Sequence, residues 1–196
     1  MEFEDLEQAL LENLRSLWRI KFALLAQRTA SQSQSMLVNY ENLPKNGPSN
    51  LFPRSESVLD AMKNLDAFSH APLATNLLLA NMAQYEAFLK HHVVVTKKGG
   101  PPGLGTLQKI AESSSERPIS DDTKISINEI RERRNIVVHR AGIADERYIQ
   151  SAAAAQPLSN GSVGVVAPGS RVEITPAYFH YATNVLIVYC RQVAGL

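Results

Sequence analysis

RRNIVVHRAGIADERYI, Arg133 to Ile149, packs arginines, one histidine and an apolar ladder into a single short run. Read backwards from Gly142, helical spacing continues to about Thr123. At about 100° per residue, Ile127, Ile130, Val137, Val138 and Ala141 fall on one broad face. Gly142 stands where a C-cap glycine stands, and basic residues in the last turn suit the negative end of the helix dipole. A helix from about Thr123 to Ala141 is therefore expected. On it Arg134 projects into the middle of the apolar stripe. A guanidinium stays charged, so there it must meet an anion, a carbonyl or a wet interface. Arg131, Asn135 and His139, spaced i, i+4, i+8, line the neighbouring flank. A polar seam thus runs beside and into the core-facing stripe. A plain structural account also exists, in which these residues are only the basic end of a buried helix.

Outward from this run, the rest of the chain also reads as helical. Phe3, Leu6, Leu10, Leu14, Leu17, Trp18, Phe22 and Leu25 recur at three- and four-residue steps, which predicts an amphipathic helix to about Ser31. A polar, proline-containing loop covers residues near 34–54. A short helix is expected from Ser55, as N-cap, to about Ser69. Pro72 opens a second long stripe through Leu73, Leu77, Leu78, Met82, Tyr85, Phe88 and Leu89. Loops near 97–105 and 113–122 flank a helical turn or two at Leu107–Ala111. A short helix lies near Asp145–Ser151. VGVV and RVEI, separated by Ala167-Pro168-Gly169, predict a small β-hairpin carried as an insertion over 160–175, its strands near 163–174. Thr175 and Pro176 are an N-cap and first-turn proline for the last helix. The expected architecture is all-α, a bundle of about four to six helices forming one domain over 1–196.

Composition narrows the function classes. The 196 residues are 44% hydrophobic and 20% charged, with a formal net charge of +1. That balance calls for neither nucleic acid nor a membrane, so any basic site must be local. Apolar stretches are too short to span a bilayer, and the acidic N-terminal residues lack a signal-peptide pattern. Cys190 is the lone cysteine, which favours a reducing, cytoplasmic setting.

Other candidate sites are weak. His91 and His92 are adjacent and point to different faces, unlike a chelating i,i+4 pair. His70 and His180 read as capping or packing residues. Lys97-Lys98-Gly99-Gly100 lacks the order of a phosphate-binding loop. Asp121 and Asp122 suit a helix start. No metal and no cofactor are expected.

The run Arg134-Asn135 followed by His139, continued by Arg140-Ala141-Gly142-Ile143-Ala144-Asp145-Glu146-Arg147-Tyr148, resembles the signature of the HEPN superfamily (higher eukaryote and prokaryote nucleotide-binding) in a bacterial subgroup. The resemblance covers about twenty residues closely and the remainder in architecture only. Arg133 offers an alternative register to the same histidine. The resemblance implies a HEPN-like helical bundle and a metal-independent RNA endonuclease, in which motif helices of two protomers build one composite cleft. It implies catalytic roles for Arg134, Asn135 and His139, with Arg131, Arg133 and Arg140 contacting RNA. His139 would move the proton of a ribose 2′-hydroxyl or of the leaving oxygen. Arg134 would steady the phosphate charge, and Asn135 would orient His139 or the phosphate. Tyr148 is the one aromatic nearby that could stack a base. The implied setting is a homodimeric toxin or phage-defence effector with an antitoxin or defence-system partner. The alternative is a non-catalytic dimerisation or adaptor protein in such a complex. Between Arg131 and Arg147 five arginines face three acids, a mild excess for RNA binding.

Overall fold

Alternation of apolar and polar positions carries α1 (Phe3–Ser33), and its buried side is built from Phe3, Leu6, Leu10, Leu14 and Leu17. A computed structural model describes residues 1–33, 64, 66–68, 70–93 and 102–196 of this chain. The stripe turns toward Leu24, so Phe22 and Leu25, expected inside, are exposed. The expected loop at 34–54 lies outside the described residues. So do most of the helix expected from Ser55 to Ser69 and the connector at 97–101.

α2 (Pro72–His92) starts at its proline and buries Ala74, Leu78, Met82, Tyr85, Phe88 and Leu89. α3 (Leu104–Ser114) is longer than the turn or two expected. α4 (Asp121–His139) begins two residues before the expected Thr123, because Ser120 caps it by accepting from the Thr123 amide at 3.2 Å. α5 (Glu146–Ala155) is capped by Asp145, which accepts from the Tyr148 amide at 2.8 Å. α6 (Pro176–Val193) opens as expected, with Thr175 accepting from the Tyr178 amide at 3.1 Å.

The helices α1, α2 and α6 pack against one another, and α4 packs against α6 and α2. α5 lies along α4, and α3 against α2. Inside the core Asn81 is fully buried, and its polar atoms are matched. Its Oδ1 accepts from Asn13 Nδ2 at 2.7 Å, and its Nδ2 donates to Thr183 Oγ1 at 3.1 Å. A buried amide left without partners would cost about 1–3 kcal/mol. The class is all-α, with six α-helices and no strand among the described residues.

The expected β-hairpin over 160–175 does not form. The residues 170–172 pair instead with the leg that leaves α4. Ile143 and Arg171 make a single antiparallel bridge, Ala144 N–H donates to the Ser170 carbonyl at 2.9 Å, and Val172 N–H to the Gly142 carbonyl at 2.8 Å. The pairing is possible because the chain reverses just after α4. Ala141 (φ 52°) and Gly142 (φ 80°) are both left-handed, and Ile143 N–H closes onto the Arg140 carbonyl at 2.9 Å. That is the geometry of a type I′ turn. Gly142 N–H also reaches back to the Ile136 carbonyl at 2.9 Å, so the glycine ends the helix as expected. The strap at 170–174 is thereby fastened beside the end of α4.

Candidate functional site

The inward face of α4 consists of Ser126, Ile127, Glu129, Ile130, Glu132, Arg133 and Ile136. Arg133, not Arg134, occupies the buried arginine position, at 3% exposure. Its Nε donates to Glu129 Oε1 at 2.9 Å, an i,i+4 pair in the favourable order, and one NH2 group approaches the Glu173 carbonyl at 3.4 Å. The carboxylate of Glu129, with no exposed surface, also accepts from Tyr148 Oη at 3.1 Å and Tyr178 Oη at 2.8 Å. The guanidinium stacks on the Tyr178 ring at 3.5 Å from its centroid. Burial, then the negative Glu129, push the Tyr148 and Tyr178 hydroxyls well above the ordinary tyrosine pKa, so both remain donors.

Two expectations fail here for the same reason. Arg133 cannot serve as a surface RNA contact, because its guanidinium is buried inside the protein. Tyr148 is fully buried and offers no stacking platform.

The outward side of α4 carries the motif. Arg134 and Asn135 are half-buried, and Val138 and His139 are exposed. Arg134 therefore flanks the core instead of entering its apolar stripe. It donates to Asn135 Oδ1 at 3.3 Å. Asn135 Nδ2 lies 3.5 Å from Glu132 Oε2, at the outer limit of a hydrogen bond. His139 makes no hydrogen bond or ion pair among the described residues, so the structure joins Arg134 to Asn135 but joins neither to the histidine.

Glu132, buried at the edge of the inward face, ties together the arginines beside the motif and was not singled out by sequence. Its Oε1 accepts from Arg131 Nε at 3.2 Å and from Arg147 at 2.8 Å. Arg131 has every nitrogen occupied: it also donates to Gln108 Oε1 at 2.8 Å and to Asn128 Oδ1. Arg140 is exposed and pairs with Asp145 at 3.2 Å. The i,i+1 adjacency of Arg131 and Glu132 gave no warning of this, since neighbours in a helix point apart.

A groove of about 530 Å³ lies where the end of α4, the first turn of α2 and the strap meet. Val137, Ala141, Thr75 and Arg171 help to line it, whereas Arg134, Asn135 and His139 do not. Among the described residues no group of three His, Cys, Asp or Glu side chains stands together to hold a metal ion, and no helix is long and apolar enough to cross a membrane. Comparison with protein-family models, with curated proteins and with solved structures returned no match.

Proposed function

We propose that this chain is a metal-independent RNA endonuclease with a HEPN-like composite site, in which the outward faces of two α4 helices meet. The observation that carries the reading is the placement of Arg134, Asn135 and His139 together on the solvent side of one helix, with Arg134 bonded to Asn135. The groove at the end of α4 is not lined by these three residues, so in this reading a second surface completes a cleft around them. Val138, exposed between the arginine and the histidine, supplies an apolar contact for that surface.

The chemistry follows from the side chains. The ribose 2′-oxygen attacks phosphorus while the bond from phosphorus to the 5′-oxygen breaks. His139, as neutral imidazole, accepts the 2′-hydroxyl proton; as imidazolium, it gives a proton to the departing 5′-oxygen. Arg134 donates to the phosphate oxygens as their charge grows. Asn135 holds the Arg134 guanidinium. The products are a 2′,3′-cyclic phosphate and a 5′-hydroxyl. An activity of this kind suits a toxin or phage-defence effector restrained by a partner protein.

A specific observation favours the second reading, a non-catalytic dimerisation or adaptor protein. Glu132 offsets the charge of Arg131 and Asp145 that of Arg140, leaving only a small excess of positive charge around the motif. The experiment that separates the two incubates purified protein with a mixed-sequence RNA in excess EDTA and analyses the new ends. The enzyme reading expects a dimer by light scattering and 2′,3′-cyclic phosphate termini in chelator. Intact RNA, or cleavage that returns only with added divalent metal, supports the second reading or another chemistry.

A further inference from the structure

We propose that Arg147, which lies outside the Arg-Asn-His motif, is a phosphate-binding residue for the RNA strand at this site. The inference rests on the ribonuclease reading above. Arg147 lies in the first turn of α5, and its side chain is 71% exposed. One terminal nitrogen is anchored at 2.8 Å on Glu132 Oε1, in a carboxylate only 6% exposed. The other oxygen of that carboxylate faces the Asn135 amide. One buried carboxylate therefore stands between Arg147 and the motif.

The remaining arginines of the region are committed elsewhere. Arg133 is buried against Glu129, Arg131 has all three nitrogens bonded, and Arg140 is paired with Asp145. Glu132 is already compensated by the two bonds from Arg131, so the charge of Arg147 is not cancelled by its anchor. The exposed Glu146 is its sequence neighbour and tempers the local field. A guanidinium has five N–H donors. Arg147 Nε and its second terminal nitrogen make no hydrogen bond among the described residues. A fork held at one end loses less freedom on meeting a ligand than a free side chain, and its spare donors match the non-bridging oxygens of a phosphodiester. Together with Arg134, whose one bonded partner is a neutral amide, Arg147 gives the α4 face two cations available to a polyanion.

The test measures binding of a fluorescein-labelled single-stranded RNA by fluorescence anisotropy across a salt series, in a His139→Ala background that keeps the probe intact. Adding Arg147→Gln is expected to weaken binding about tenfold at low salt. It should also reduce the slope of log affinity against log salt by about 0.7, the value for one phosphate contact on a single strand. Arg147→Lys should keep the slope and lose affinity, because charge remains while the fork is lost. Arg19→Gln, the same charge change on an exposed residue of α1, is the control and should alter neither. Equal behaviour of Arg147→Gln and Arg19→Gln would overturn the proposal; if the parent still cleaves RNA, the ribonuclease reading survives it. Arg147-dependent binding by a parent that does not cut would overturn catalysis and keep this proposal. No binding by the background protein would overturn it too, with parental cleavage deciding the enzyme reading separately.

Discussion

Replacing Arg133 with alanine removes the cation from a buried cluster while leaving Glu129 fully enclosed. The two tyrosine hydroxyls still donate to that carboxylate, yet its charge loses its one counter-ion among the described residues. Breaking a buried pair from one side costs about 3–5 kcal/mol. The void left under the Tyr178 ring adds to this. A chain of this length loses roughly 2–4 °C of melting temperature per kcal/mol, so Arg133→Ala is expected to melt roughly 6–20 °C below the parent. Arg134→Ala removes one 3.3 Å bond from a half-buried side chain and should cost within about 1 kcal/mol. The two adjacent substitutions thus separate by position alone: the first attacks folding, and under the proposed function the second attacks RNA cleavage. Circular-dichroism melts and urea titrations of both variants give the comparison. Refutation would be an Arg133→Ala protein melting within about 2 °C of the parent, or a larger loss at Arg134 than at Arg133, since either would place the buried arginine wrongly.

Further expectations concern the turn after α4 and the tyrosine hydroxyls. Gly142→Ala puts a Cβ at 3.1 Å from the Val172 carbonyl in a left-handed conformation, and should cost about 1–2 kcal/mol; Ala141→Gly, at φ 52°, should raise the melting temperature. A Gly142→Ala protein as stable as the parent would contradict the turn geometry. Tyr85, Tyr148, Tyr178 and Tyr189 all have raised pKa values, each chiefly through burial. In an unfolded chain tyrosines lose protons near pH 10, whereas these four keep theirs while folded. Their contribution to stability is therefore complete below about pH 10 and is lost as pH rises beyond it. Ultraviolet titration should show them ionising only as the chain unfolds; four reversible ionisations near pH 10 in the folded protein would refute their burial.

How far the sequence foretold this structure can be judged from α4. Its limits were nearly legible, because an N-terminal cap, two acids and a terminal glycine are local signals. Its inward face was not. An apolar tally centres the buried side on Ile127, Ile130, Val137, Val138 and Ala141, which puts Arg134 inside. The true arc is centred on Glu129 and Arg133, two charged residues that satisfy each other with help from Tyr148 and Tyr178 on α5 and α6. A hydrophobic pattern cannot see a buried group that brings its own counter-charge. The β-hairpin failed by a related mechanism. The alternation in VGVV and RVEI was real, but the partner of 170–172 is the leg at 142–144, set by the turn at Ala141-Gly142. The motif residues Arg134, Asn135 and His139 lie on one helix, with a bond between the first two and none to the histidine among the described residues. The grip of Glu132 on Arg131 and Arg147 depends on α5 folding back along α4, which no local spacing announces.

The central claim is that His139 moves a proton in RNA cleavage, and one comparison tests it most directly. The parent and His139→Ala are purified as folded proteins of equal melting temperature, which the exposed position of this imidazole allows. Their initial rates on the same labelled RNA are then measured in EDTA at neutral pH. Loss of a positioned acid–base group lowers a rate by about 10²–10⁴-fold, and a drop of that size at unchanged stability is the predicted result. A His139→Ala protein that cuts RNA as fast as the parent would contradict the account.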